Sequence, residues 1–244
     1  MIETRSSFIY GFLVDESNNT FVIDEGAGNV DFIIRKDTYS FTEYAGAVQI
    51  ALNNFGTLTY TVTANRDRTL TITGSANFDI KTTGVGVGLS AFPMMGFTAD
   101  QTGLNTYISD SKSGSEYYPQ YYLQDYKSLD SNSEYMNVHK NETLSGHIET
   151  IVHNKVRFLS MNIKFITDLD MTGSAITNSP TGYTDAVSFM NYCITSGKIE
   201  FIEDINDRDT YNTIMFENNK FAIKEESEFK HIYQTGTLKF REVI

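Results

Sequence analysis

Between Thr57 and Thr73 the chain runs on a strict two-residue period. Leu58, Tyr60 and Val62 alternate with Thr57, Thr59, Thr61 and Thr63. After the turn residues Asn65, Arg66 and Asp67, Leu70 and Ile72 alternate with Thr69, Thr71 and Thr73. Successive side chains of a strand point to opposite faces, so this pattern specifies a β-hairpin with one apolar and one threonine face. Just upstream, Phe41, Tyr44, Ala45, Val48, Leu52 and Phe55 recur at helical spacing. Ser40 and Glu43 have the spacing of a capping box at the start of that stripe, and Gly56 is expected to close it as the residue after the C-cap. A helix that covers one face of a hairpin is the unit these residues define.

The unit recurs. Phe41, Tyr44, Ala45, Val48 and Leu52 map without a gap onto Tyr183, Ala186, Val187, Met190 and Ile194. Gly56 maps onto Gly197, the turn Asn65-Arg66-Asp67 onto Asn206-Asp207-Arg208, and Phe78-Asp79-Ile80-Lys81 onto Phe221-Ala222-Ile223-Lys224, all at nearly constant offset. Strands are expected before and after each helix. In the first half they lie within Phe8–Val14, Phe21–Ile23, Phe32–Ile34 and Phe78–Ile80. In the second they lie at Thr143–Val152, Val156–Thr167, Lys198–Asp204, Thr210–Phe216 and Ile232–Val243, around a helix from Tyr183 to Thr195. The expected fold class is mainly β with a few helices (α+β): two tandem β-sandwich or barrel subdomains, each flanked by one α-helix. The subdomains are expected at 1–83 and 141–244. Residues 84–140 are expected to form a linker or arm, with a short helix between Leu89 and Phe97 broken near Pro93.

Composition agrees with a sheet protein and removes several functions. Phe and Tyr abound, Trp is absent and Pro occurs three times, which suits half-buried pleated surfaces. With 19 basic against 31 acidic side chains the net charge is −12, which excludes free electrostatic binding to DNA, RNA or acidic lipid. No apolar run is long enough to span a bilayer, and Met1–Ser17 lacks the basic-then-apolar pattern of a secretory leader. The one cysteine, Cys193, excludes an internal disulfide framework and a cysteine-rich zinc site.

No motif carries catalysis. Gly84, Gly86 and Gly88 include a relaxed dinucleotide pattern, Gly86-x-Gly88-x-x-Ala91, but hairpin strands precede it where a βαβ unit is needed. His147 and His153 are candidates to share a strand face, while His139 and His231 lie elsewhere, and no further ligands are marked. Asp204-x-Asn206-x-Arg208 opens like a calcium loop, then fails with Asp209 where glycine is needed and Met215 where glutamate is needed. No G-x-S-x-G elbow occurs. The expectation is a protein that is not an enzyme, with no cofactor and no metal.

Tyr117, Tyr118, Tyr121, Tyr122 and Tyr126 form an aromatic cluster. It suits docking on a neighbouring subunit, because tyrosine gives large contact area at low entropic cost. It also suits stacking on sugar rings.

Short stretches across most of the chain resemble virion structural proteins of tailed bacteriophages. They are Phe41-Thr42-Glu43-Tyr44 with Ala51-Leu52-Asn53, Tyr60-Thr61-Val62-Thr63, Leu70-Thr71-Ile72, Met95-Gly96-Phe97 with Asp100-Gln101-Thr102-Gly103, Tyr118-Pro119-Gln120 through Asp125-Tyr126, and Met161 through Thr167. The architecture is similar to the tail-tube and tail-hub family. That resemblance implies a virion protein made in the bacterial cytoplasm, assembling with itself as a trimer or hexamer into stacked rings. It further implies contact with other tail proteins and passage of DNA through an acidic conduit without specific binding, with no membrane partner. A neck, distal-tail or capsid-decoration role and a carbohydrate- or receptor-binding module are the alternatives.

Overall fold

The computed structural model describes residues 6–83, 90–117, 130–142, 148–163, 166, 186–195, 197–218, 220, 222–225 and 233–243, with strand pairing alone for 130–142 and 148–156. In chain order the elements are β1 (Ser7–Tyr10), β2 (Phe12–Val14), β3 (Thr20–Asp24), β4 (Asn29–Ile33), β5 (Asp37–Tyr39), α1 (Phe41–Phe55), β6 (Tyr60–Ala64), β7 (Leu70–Ile80), α2 (Phe92–Met95), β8 (Gln101–Ile108) and β9 (Ser115–Tyr117). There follow β10 (Asp130–Glu142), β11 (Ile148–Asn162), α3 (Ala186–Ile194), β12 (Ile199–Ile202), β13 (Tyr211–Phe216), β14 (Lys224–Glu225), β15 (Tyr233–Gln234) and β16 (Thr237–Glu242). The fold is mainly β, with several antiparallel sheets and three helices among the described residues.

The helix–hairpin unit forms as its sequence pattern dictates. Ser40 accepts the Glu43 backbone N–H while the Glu43 carboxylate accepts the Ser40 N–H, a reciprocal cap on α1. Phe41, Tyr44, Ala45, Val48 and Leu52 are buried. β6 and β7 pair in the register Tyr60↔Gly74, Val62↔Ile72 and Ala64↔Leu70. Tyr60, Val62, Leu70 and Ile72 point into the core. Gly56 departs from the expected left-handed cap, since its φ is −83° and its N–H donates to Leu52 O. Glycine is needed there for room: a Cβ would lie 2.6 Å from Glu25 Oε1 and 2.7 Å from Leu52 O.

Glu25 fastens the chain as it leaves α1. Its carboxylate accepts from Thr57 N at 2.8 Å, Thr57 Oγ1 at 2.6 Å, Tyr60 Oη at 2.7 Å and Leu58 N at 3.3 Å. Burial raises its pKa, but the hydrogen bonds outweigh burial and the net shift is downward. A depressed folded pKa means the contribution is complete above the unfolded value and is lost as pH falls through the folded one. Replacing Glu25 with glutamine is therefore expected to flatten the acid limb of a stability–pH curve below about pH 5, the window set by an ordinary glutamate. Urea unfolding across that range measures it.

The second sheet has the order β10-β11-β16-β13-β12-β1-β9. The N-terminal strand β1 thus lies inside it, between β12 and β9, with Phe8 opposite both Phe201 and Tyr117. Both faces of β1 are covered. Phe8 and Tyr10 join the core built on Phe189, Phe201 and Phe240, while Ile9 joins the core of Phe12, Phe41, Tyr44 and Val48. Gly11, at φ +97°, then turns the chain from β1 into β2.

Four expectations are corrected. Residues 90–117, within the stretch expected to be an arm, form α2, β8 and β9 and are built into both large sheets. Pro93 stands in the first turn of α2, where its missing N–H costs nothing, so it starts the helix and does not break it. Phe78–Ile80 is the end of β7, carried past an irregularity between Thr73 and Phe78. Residues 153–155, which separate the expected strands Thr143–Val152 and Val156–Thr167, run through the middle of β11 opposite β10.

Tyr44 has no exposed surface, and its hydroxyl has no hydrogen-bond partner. Burial drives its pKa far up, so the hydroxyl stays protonated. An unsatisfied buried donor costs about 1–3 kcal/mol. Tyr44→Phe is therefore expected to raise stability by about 1 kcal/mol, seen as a higher denaturant midpoint at unchanged slope.

Candidate interaction surface

Two surfaces attract attention, one internal and one external. The internal one is a cluster of charges where the two cores meet. Glu200 and Glu116 stand opposite Ile9 on either side of β1, facing the first core. Glu200 is fully buried and accepts Thr42 N at 2.6 Å and Arg66 Nη1 at 3.1 Å. Arg66 also donates to Thr42 Oγ1 at 3.0 Å and lies 4.4 Å from the Tyr211 ring centroid. Glu116 accepts Ser7 Oγ and, at 2.9 Å, Arg208 Nη2. Arg68 lies 3.6 Å from Glu116 and donates to Ser113 O and Gly114 O. Arg208 Nε reaches Arg66 O at 2.7 Å, which ties together the two turns that the sequence comparison aligned. The carboxylates are filled by protein donors, so the cluster acts as a joint and offers no reactive group. Its members were invisible in sequence because their spacing is entirely long-range.

The external surface lies on β6, β7 and β8. β8 pairs with the edge of β7 in the register Thr71↔Ile108, Ile72↔Tyr107 and Thr73↔Thr106. Tyr107 turns inward and donates its hydroxyl to Phe78 O at 2.7 Å. The alternate residues face out. The outer face therefore carries Thr61 and Thr63 on β6, Thr71 and Thr73 on β7, and Thr106 and Ile108 on β8, with Leu104 exposed next to them beyond an irregularity in the β7–β8 pairing. Thr106 Oγ1 donates to Thr73 Oγ1 at 3.3 Å across the pair. No charged side chain interrupts these positions, although the chain carries a net −12.

The edge of this face is equally bare. Among the described residues no strand pairs with the outer side of β8. Natural sheets guard open edges with lysine, proline, inward charges or bulges. An irregularity in the β7–β8 pairing lies before Thr106, but Gln101–Ile108 contains no charged residue and no proline, while Leu104 and Ile108 are 58% and 57% exposed. An uncharged edge with projecting aliphatic side chains is a template for another strand.

The residues singled out from sequence fall elsewhere. Tyr117 is taken up by the chain's own core: it is 1% exposed, and its ring stacks on Phe189 at 4.8 Å. A strand between two cores leaves an aromatic there nothing to offer a neighbour. Tyr118, Tyr121, Tyr122 and Tyr126 lie outside the described residues, as do His147, His231, Gly84, Gly86 and Gly88. His139 and His153 lie on the paired strands β10 and β11. Asp204 accepts the Asn206 N–H at 2.9 Å, a turn contact. Cys193 is buried, and desolvation pushes its thiol pKa up, away from the reactive thiolate. No group of three or more metal-ligating side chains occurs among the described residues. No described helix is long and apolar enough to cross a membrane.

A concavity of about 610 Å³ runs along α1 between Ile33, Tyr39, Ala47, Ile50 and Phe55, with Arg35, Asp37 and Glu43 among its polar members. Ile50 and Phe55 are more than half exposed there. The chain matches no protein-family model, and no curated protein is detectably similar to it.

Proposed function

We propose that this chain is a self-assembling structural protein of a phage tail, stacking in rings around a DNA conduit. The observation that carries the reading is the β8 edge: free of charge and proline, and studded with Leu104 and Ile108 in a chain that is otherwise strongly acidic. Like-charged copies repel across charged surface, so a patch without charge is a favoured place for contact. Pairing of β8 with a different strand edge of the next copy is a heterologous contact, and such contacts close into rings when the rotation allows.

The recurrence of helix then hairpin supports the finer architecture, two tandem tail-tube-like units: α1 with β6 and β7, and α3 with β12 and β13. Two related units per chain let a trimer imitate sixfold symmetry. The acidic balance suits a conduit, since carboxylates repel the phosphates of passing DNA. Electron microscopy of concentrated purified protein tests the reading. Rings or tubes of threefold or sixfold symmetry are expected. A field of single particles at every concentration contradicts it.

A further inference from the structure

The geometry points to a two-fold dimer in which β8 pairs antiparallel with β8 of a second copy, holding the edge closed before assembly. The regulatory half of this inference rests on the ring reading above; the dimer itself rests on the strand alone. Ser109 donates its backbone N–H to Leu70 O at 2.8 Å across the β7–β8 pair. Successive residues of an antiparallel strand alternate between facing the partner and facing away. Thr106 and Ile108 therefore turn their N–H and C=O groups outward, available to another chain.

One register brings the outward backbone groups of Thr106 and Ile108 and the exposed side chains together, while the Leu104 N–H stays with the Tyr107 hydroxyl at 2.7 Å. With Thr106 opposite Thr106 of the second copy, a hydrogen-bonded pair lies on the two-fold axis. Leu104 of each chain then stands opposite Ile108 of the other, and both side chains are exposed in the single chain. Two aliphatic pairs flank a central pair of threonines, and no charge is buried. Shifting the centre to Leu104 sets Ile108 against Asp100. Shifting it to Ile108 sets Thr106 against Asp110 and Leu104 against Lys112. Centring on Asn105 matches both aliphatics with threonines instead. The edge is thus self-complementary in a single register, which is the requirement of an isologous contact.

An edge takes one partner at a time. β8 paired with itself is withheld from the heterologous pairing that builds a ring, so dimer opening precedes ring growth. The dimer covers a strand that would otherwise be exposed to uncontrolled polymerisation.

Thr106→Cys tests this. Opposed residues of a hydrogen-bonded antiparallel pair have Cα and Cβ atoms both about 5.5 Å apart, wider than a relaxed disulfide's Cβ separation but within reach of a short bis-maleimide. Cys193 is buried and leaves the wild-type chain as the uncrosslinked control. A short bis-maleimide is expected to convert Thr106→Cys to a covalent dimer that forms no rings. Thr61→Cys, on the same face but away from the edge, is expected to stay uncrosslinked. Wild-type protein is expected to sediment as a dimer at micromolar concentration, a reading independent of any variant's folding. Rings from wild type with no crosslink at residue 106 overturn the dimer and leave the tail reading standing. A crosslinked dimer from a protein that never forms rings leaves the dimer standing and removes the tail reading. A wild-type monomer at all concentrations overturns both.

Discussion

Glu200→Ala is expected to cost about 3–5 kcal/mol of unfolding free energy, the range for removing one partner of a buried ion pair. Glu200 has no exposed side-chain surface and holds two groups from the other core, the Thr42 backbone N–H and the Arg66 guanidinium. Deleting it leaves the first turn of α1 without its acceptor and Arg66 without a counter-charge. Both losses fall at the seam between the cores, so the separation of the two sheets should become easier as well. Double replacement of Glu200 and Arg66 by alanine is expected to recover part of the loss, because the orphaned charge goes too. Chemical denaturation of the three variants measures this. A loss below about 1 kcal/mol for Glu200→Ala would show that solvent screens the cluster and that it joins nothing.

Ile108→Lys is expected to weaken self-association about a hundredfold, since pairing at this edge would place a lysine stem and its charge among aliphatic side chains. The same change should leave the folded chain within about 0.5 kcal/mol of wild type, because residue 108 is more than half exposed. The split between intact stability and lost association separates an interface role from a folding role. Sedimentation equilibrium and urea unfolding on one preparation give both numbers. Unchanged association in Ile108→Lys places the contact elsewhere on the molecule.

What the sequence made legible was local. The cap at Ser40 and Glu43, the stripe of α1 and the alternation from Tyr60 to Ile72 each depend on neighbours a few residues apart, and each was realised. The second helix and the strands near residues 199–216 and 237–242 followed for the same reason. What stayed hidden was long-range pairing. Nothing near Phe8 indicates that β1 crosses into a sheet with residues 199–202, because an apolar strand looks alike in either sheet. Residues 101–108 are rich in Thr, Asn and Gly, a composition that predicts an arm. Their strand character comes from pairing with β7, which tertiary context supplies and propensity does not. Tyr117 misled for a related reason: its neighbours in sequence are tyrosines, while its neighbours in space are Phe8 and Phe189.

Hydrogen exchange at the amides of Thr106 and Ile108, followed as protein concentration rises, tests edge pairing most directly. Both amides face away from β7, so in an isolated chain they exchange at rates close to those of open backbone. Pairing through β8 predicts protection at these two positions that grows with concentration and vanishes in Ile108→Lys. Fast exchange at both amides under conditions where the protein has already associated would contradict it.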